Sequence, residues 1–364
     1  MMRLTAFACF VVIVFATGVA GCQASTTKTA LTDKIDAVIA MESEQASPGY
    51  AIGVVRNGAL VFAKGYGVAD IATGEPITAD TPFNLASLSK QFTGAAVALE
   101  VQQERLDLDD RLIKHWPGIP DFMQDITIGH LVYMTSGLPE YYSLPSPKGG
   151  WDSEDRFTVE DAIGAVFAAG VLDYAPGSRW TYSNINYQLL AELTARLNGK
   201  SFGQHMDEAI FSPLDMKQSW VDDKLQSHNR PSANAYVWDD ENSVWRTAPR
   251  LSPHYGGSGM FSSVADLAKW NKALFSTQPF GSAFTEILLG AKQFDHDKTN
   301  DAFGLVHGSH KGRHTVWYEG GDYGVSTYMI RLMDEQTTVI CLANYGNAGC
   351  RDKATAILDI IANP

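Results

Sequence analysis

Two β-hairpin signals lie near opposite ends of the chain, with a long helical stretch between them, and this constrains the fold most. The first is YAIGVVRNGALVFAKGYG, two β-rich runs around Asn57-Gly58. Asn-Gly favours a two-residue hairpin loop because both turn positions need positive φ. The second comprises Ser326–Leu332 and Thr337–Leu342, flanking Asp334-Glu335-Gln336. Residues 88–275 read mainly as helices joined by Gly/Pro loops, among them Leu88–Gln102 and Tyr187–Leu197. A helical stripe (Ile35, Val38, Ile39, Met41) runs from Leu31 to about Gln45, and Arg351–Ala362 closes the chain as a helix. The expectation is an α+β fold: one antiparallel sheet built from both chain ends, covered on one face by the terminal helices, with a large, mainly helical insertion on the other. A groove would separate insertion from sheet. A chain of 364 residues, 45% hydrophobic, can bury the core this requires.

The first residues read as a targeting segment. Arg3 precedes an apolar run from about Ala6 to Phe15, and small residues follow. The run is too short for a comfortable membrane span, which needs about 20 residues. Val19-Ala20-Gly21-Cys22 resembles the bacterial lipobox, which implies lipidation of Cys22 and an exported, lipid-anchored protein. In a Gram-negative host the pattern would imply the periplasmic face of the outer membrane. Residues 1–21 are thus expected to be a lipoprotein signal peptide, 22–30 a tether, and 31–364 the folded domain. The net charge of −13, with no basic run, excludes general nucleic-acid binding. Cys341 falls in a strand-like run where a small buried hydrophobe fits, so no bridge to Cys350 is expected.

Chemistry concentrates in two short motifs. In TPFNLASLSKQFTG, Ser87 and Lys90 are three residues apart near a helix start, hence on one face. A serine hydroxyl is a weak nucleophile without an adjacent base, and lysine can be that base only with a depressed pKa. Ser89, next to Lys90, is a rival nucleophile that would point elsewhere. In APGSRWTYSNINYQLL, alternation places Tyr182 and Asn184 on one side of a short extended segment. The phenol could relay protons and the amide could hold Lys90 or a substrate carbonyl. The competing reading has Ser183 or Asn184 capping a helix and Tyr182 packed in the core.

Together the motifs resemble the serine β-lactamase and penicillin-binding-protein superfamily, in particular the class C-type branch with its D-aminopeptidases and esterases, where the second motif is Tyr-x-Asn. ITIGHLVYMTSGLPEY, IFSPLDMKQS (Asp215 in a Gly position) and GGSGMFSSVADLAKW carry the resemblance through most of the chain. It implies an acyl-enzyme serine hydrolase in which Ser87 attacks a carbonyl, Lys90 and Tyr182 share the proton, and Asn184 orients Lys90 and substrate. The family's third motif, Lys-Thr-Gly or His-x-Gly on an edge strand, falls here on Tyr318-Glu319-Gly320, with Gly321 as the implied second oxyanion donor. Tyr318, Glu319, Gly320 and Gly321 are therefore expected to bind substrate. Tyr318 in place of a cation weakens binding of a substrate carboxylate by about tenfold or more. That favours a neutral ester or amide, or a substrate with a positive end near Glu319, over penicillins and D-Ala-D-Ala peptides; the alternative for Glu319 is that strand alternation points it away from the site. The expected partners are a small-molecule or peptide substrate and, through the anchor, a membrane; no cofactor or metal is implied. The alternatives are a non-catalytic envelope lipoprotein binding muropeptides or a protein partner, and a true class C-type β-lactamase or DD-peptidase.

Two further motifs carry less. Gly199-Lys200-Ser201-Phe202-Gly203 matches Gly-x-Ser-x-Gly, but a helix rather than a strand precedes it, so a helix–helix turn with Ser201 as N-cap is expected. His307, His310 and His314 fit no metal spacing and are expected in a polar loop.

Overall fold

The computed structural model describes residues 31–39, 47–151, 155–224, 230–249, 253–290 and 300–362. The lipobox, Cys22 and the tether lie outside the described residues. The central sheet has seven antiparallel strands: β1 (Tyr50–Arg56), β2 (Ala59–Tyr66), β3 (Asn300–Ala302), β4 (Leu305–His310), β5 (Arg313–Asp322), β6 (Val325–Leu332) and β7 (Thr337–Ala343). Their spatial order is β3-β4-β5-β6-β7-β1-β2. The two ends of the chain meet where β1 pairs with β7, from Tyr50 opposite Ala343 to Arg56 opposite Thr337. Asn57 and Gly58 have φ of 48° and 74°, the two positive values that the first hairpin turn requires.

The helices that matter for the site are α1 (31–39), α2 (Lys90–Gln102), α3 (Asn184–Asn198), α4 (Phe202–Met206), α5 (Val264–Ser276) and α6 (Cys350–Ala362). One face of the sheet buries Ile52, Val54, Ile330 and Val339 against Ile35 and Ile39 of α1 and Ile357, Leu358 and Ile361 of α6. The other buries Ala51, Val55, Met329, Ile340 and Leu342 against the helical region. This is the expected layering. Strand alternation divides each strand between the two cores, which is why β6 and β7 read as nearly continuous apolar runs.

Three expectations change. The histidines occupy a hairpin, not a loop: His307 and His310 lie on β4 and His314 on β5. His307 stacks on His314 across the strands, and His310 reaches Asp359 at 2.8 Å. No cluster that could hold a metal occurs among the described residues. The third-motif strand, β5, is not an edge strand along its whole length; β4 covers residues 313–317 and stops, leaving the stretch from Tyr318 onward open on that side. Lastly, Ser87 precedes the α-helix, in a 3₁₀ turn over Ala86–Ser89.

The Gly-x-Ser-x-Gly segment is the helix–helix turn anticipated. Gly199 ends α3 with φ of 62°, and the Ser201 hydroxyl accepts the Gln204 N–H in a capping box that starts α4. Cys341 and Cys350 are both buried free thiols. Asp215 has φ of 54°, a left-handed conformation that accounts for glycine at this place in the resembling pattern.

Candidate active site

The nucleophile turn is built under local strain. Ala86 has φ of 48°, unfavourable for a residue with a Cβ, and is held there by its N–H donating to Asn84 Oδ1 at 2.9 Å. From below, β5 presses on the same turn: a Cβ on Gly320 would lie 2.3 Å from the Leu85 carbonyl oxygen and 3.0 Å from the Leu88 nitrogen. Thr327 also donates to that Leu85 carbonyl at 2.8 Å. Gly320 is thus needed so that the strand can pack against the nucleophile turn. Gly320, expected to bind substrate, is not among the residues lining the nucleophile cavity, and its missing side chain serves this packing.

Four of the expected residues converge. Ser87 Oγ lies 2.7 Å from Tyr182 Oη and 3.1 Å from Lys90 Nζ, and Lys90 Nζ lies 2.6 Å from Tyr182 Oη. Lys90 also donates to Asn184 Oδ1 at 2.8 Å and to the Gly257 carbonyl at 2.6 Å. Gly257 belongs to the Gly-rich turn before α5; the sequence marked the turn, but no pattern ties a backbone carbonyl to a lysine far away in the chain. The rival Ser89 is fully buried, and its hydroxyl accepts the Met260 N–H at 3.2 Å.

Burial is the largest influence on Lys90 and pushes its pKa down to about 7, against the opposing pull of Glu140, Asp301 and Asp322. Tyr182 moves the other way. Burial of its hydroxyl holds its pKa well above that of an ordinary phenol, although its side chain as a whole is 37% exposed. The hydroxyl points into the cluster. These opposite directions favour a neutral amine beside a protonated phenol. A neutral Lys90 amine has two N–H donors, and Asn184 Oδ1 and the Gly257 carbonyl can only accept. Its lone pair therefore remains for a proton arriving from Ser87, directly or through the Tyr182 hydroxyl. The arrangement can thus use Lys90 as a proton sink and a protonated Tyr182 as a relay.

Two carboxylates were missed by sequence reading. Glu140 follows the GLP turn and accepts the Asn184 N–H at the start of α3, so the cap of this helix is a distant carboxylate and neither Ser183 nor Asn184. Burial raises the Glu140 pKa. Asp301 on β3 is fully buried, its pKa raised to about 7 by burial and opposed by Lys90. Glu140 lies in the ITIGHLVYMTSGLPEY segment but no spacing ties it to Lys90, Asp301 lies in no motif, and only the folded chain brings them beside Lys90.

The third-motif residues separate. Tyr318 is 4% exposed, part of the core beneath the site, and burial raises its pKa. Its hydroxyl does not line the nucleophile cavity. Glu319 points to the opposite face of the sheet and pairs with Arg351 of α6 at 2.7 Å. Neither is placed to bind substrate, because strand alternation sends one side chain into the core and the next toward the terminal helices. Gly321 does line the nucleophile cavity, which has a volume of about 180 Å³. Asp322 and Val325 close a two-residue hairpin, so Gly321 and Ser326 form the next, non-hydrogen-bonded pair. The Gly321 N–H therefore points off the strand's open side, as an oxyanion donor must.

The antiparallel sheet with an inserted helical region, and a Ser-x-x-Lys turn facing Tyr-x-Asn, define the serine-nucleophile class to which penicillin-recognising proteins belong. The β-lactamase family model matches residues 30–362, and the chain belongs to this family. It is 30% identical over 302 residues to penicillin-binding protein 4* of Bacillus subtilis, covering 79% of this chain and 66% of the relative. It is 23% identical over 313 residues to a D-aminopeptidase of Gluconobacter oxydans, covering 86% and 58%. The chain thus spans about three fifths to two thirds of the length of these relatives. Among solved structures, an octameric penicillin-binding protein homologue from Pyrococcus abyssi matches with a TM-score of 0.75 at 22% identity, over 93% of this chain and 77% of that one. D-amino acid amidase from Ochrobactrum anthropi matches with a TM-score of 0.75 at 21% identity, over 92% and 99%. Both show the same fold.

Proposed function

We propose that the protein is a serine hydrolase that cleaves an ester or amide through an acyl-enzyme on Ser87. The observation that carries this reading is the Ser87–Tyr182–Lys90 triangle, closed by contacts of 2.7, 2.6 and 3.1 Å around an amine whose pKa lies near neutrality. In acylation the Ser87 proton passes to Lys90, directly or by way of Tyr182, as Oγ attacks the carbonyl carbon. The N–H groups of Ser87 and Gly321 receive the developing oxyanion. The proton returns through the same path to the leaving alcohol or amine, and a water activated by Lys90 and Tyr182 then releases the acid. Asn184 and the Gly257 carbonyl hold the amine so that its lone pair faces the reacting oxygen.

The D-aminopeptidase relatives favour amides among the substrates. Penicillins and D-Ala-D-Ala peptides are disfavoured, because the described residues lining the cavity include no Lys or Arg to meet a carboxylate. The test is labelling with a fluorophosphonate probe, read by intact mass. One adduct per chain, abolished in Ser87→Ala, supports the reading; a protein inert to phosphonate and penicillin probes alike refutes it. We also propose export and lipid anchoring at Cys22. Detergent-phase partitioning that is lost in Cys22→Ala tests the anchor.

A further inference from the structure

Two adjoining cavities meet at a single carboxylate. Beside the nucleophile cavity lies a smaller one, of about 50 Å³. Tyr142, His254 and Asp322 border both. The second cavity adds aromatic walls: Trp151, Phe157 and Tyr323. These rings are held in place. Trp151 meets Phe157 edge to face at 5.1 Å, Phe157 stacks on His254 at 5.5 Å, and the Trp151 indole N–H donates to the Leu144 carbonyl at 2.7 Å. Asp322 is the last residue of β5 and shares a face with Tyr318 and Gly320, so its side chain is on the groove side of the sheet. The Tyr323 N–H donates to Asp322 Oδ1 at 2.8 Å, and no Lys or Arg pairs with this carboxylate among the described residues.

The charge pattern is one-sided. Among the described residues lining the two cavities there is one carboxylate and no Lys or Arg. Just behind them, Glu140 and Asp301 pull on Lys90 in the same sense as Asp322. An anionic group entering the groove gives up its hydration and meets Asp322, with no Lys or Arg on the described lining. An ammonium group finds Asp322 and an aromatic lining, both of which attract cations. The sequence suggested Glu319 for a positive substrate end; the strand register assigns that place to Asp322 instead.

We propose that Asp322 binds an ammonium group of the substrate while the aromatic cavity holds an apolar arm, so that the substrates are amine-bearing esters or amides with an apolar side group. This rests on the hydrolase reading of the same groove. Binding needs no catalysis, so it is measured with three probes of similar shape by calorimetry at neutral pH: 2-phenylethylammonium, 2-phenylethanol and 3-phenylpropionate. The wild type is expected to bind the ammonium about tenfold or more tightly than either of the others. Asp322→Asn is expected to abolish the preference and Asp322→Glu to retain it, while Trp151→Ala weakens all three probes together. Equal affinities in the wild type, a preference that survives Asp322→Asn, or no saturable binding of the ammonium overturns the proposal. Phosphonate labelling of Ser87 reports separately on the hydrolase reading, so the two can fail independently.

Discussion

Activity should follow the titration of Lys90. Its amine moves from an ordinary 10.5 to about 7 on burial. At pH 7 about half the molecules then carry a free amine, against about one in 3,000 for an unperturbed lysine, a difference of about 5 kcal/mol between the two protonation states. In kcat/KM for a neutral p-nitrophenyl ester this predicts an acid limb with its midpoint near pH 7, falling about tenfold per pH unit below it. The limb should respond to the neighbouring carboxylates. Asp301 favours the charged amine, so Asp301→Asn should move the midpoint to lower pH, by about half a unit or more. Stability carries the same signature. Folding depresses this pKa, so between pH 7 and 10.5 the unfolded chain binds more protons and stability rises with pH through that window. Lys90→Met should flatten the rise in urea unfolding measured across that pH range. A rate profile that stays flat from about pH 5 to 9 in a protein whose Ser87 is still phosphonylated would refute the assignment of Lys90 as base.

Other substitutions separate the roles within the site. Lys90→Met should lower kcat/KM by about 10³-fold or more, and Tyr182→Phe by about 10²-fold, since the lone pair can still accept directly from Ser87; equal losses would make the phenol indispensable to proton transfer. Gly320→Ala places a Cβ 2.3 Å from the Leu85 carbonyl, so phosphonylation of Ser87 should fall steeply and the melting temperature should drop. Unaltered labelling would show that β5 does not press on the nucleophile turn. Glu319→Gln should leave kcat/KM within about twofold and stability within about 1 kcal/mol, because its pair with Arg351 is half exposed on the far face of the sheet. A large loss of activity would restore Glu319 to the substrate groove.

Local rules carried much of the fold and the nucleophile pair. Asn57-Gly58 specifies its turn because positive φ at two successive positions admits few other residues. Ser87 and Lys90 are legible because helical spacing is a local property. Tyr182 and Asn184 are legible as a pair on one side of a segment, and the family pattern links that pair to Ser87. The N-cap at Ser201 was likewise decided within four residues.

The third motif shows where such reading stops. Tyr318, Glu319 and Gly320 were expected to bind substrate, with strand alternation left as the alternative for Glu319, and the pleat of β5 does send neighbouring side chains to opposite faces. The register with β6 then gives the core to Tyr318, the ion pair with Arg351 to Glu319, and the groove to Asp322. Glu140, Asp301 and the Gly257 carbonyl reach Lys90 from loops and strands distant in the chain, with no spacing rule to announce them. The pKa of Lys90 belongs to neither local motif. It is set by the removal of water on every side, which happens only when the helical region closes on the sheet. Sequence alone therefore determined which groups could do chemistry and what local geometry each would have. Tertiary structure decided which of them share a dry, charge-biased space, because desolvation and Coulomb interactions depend on distance in space and not on position along the chain.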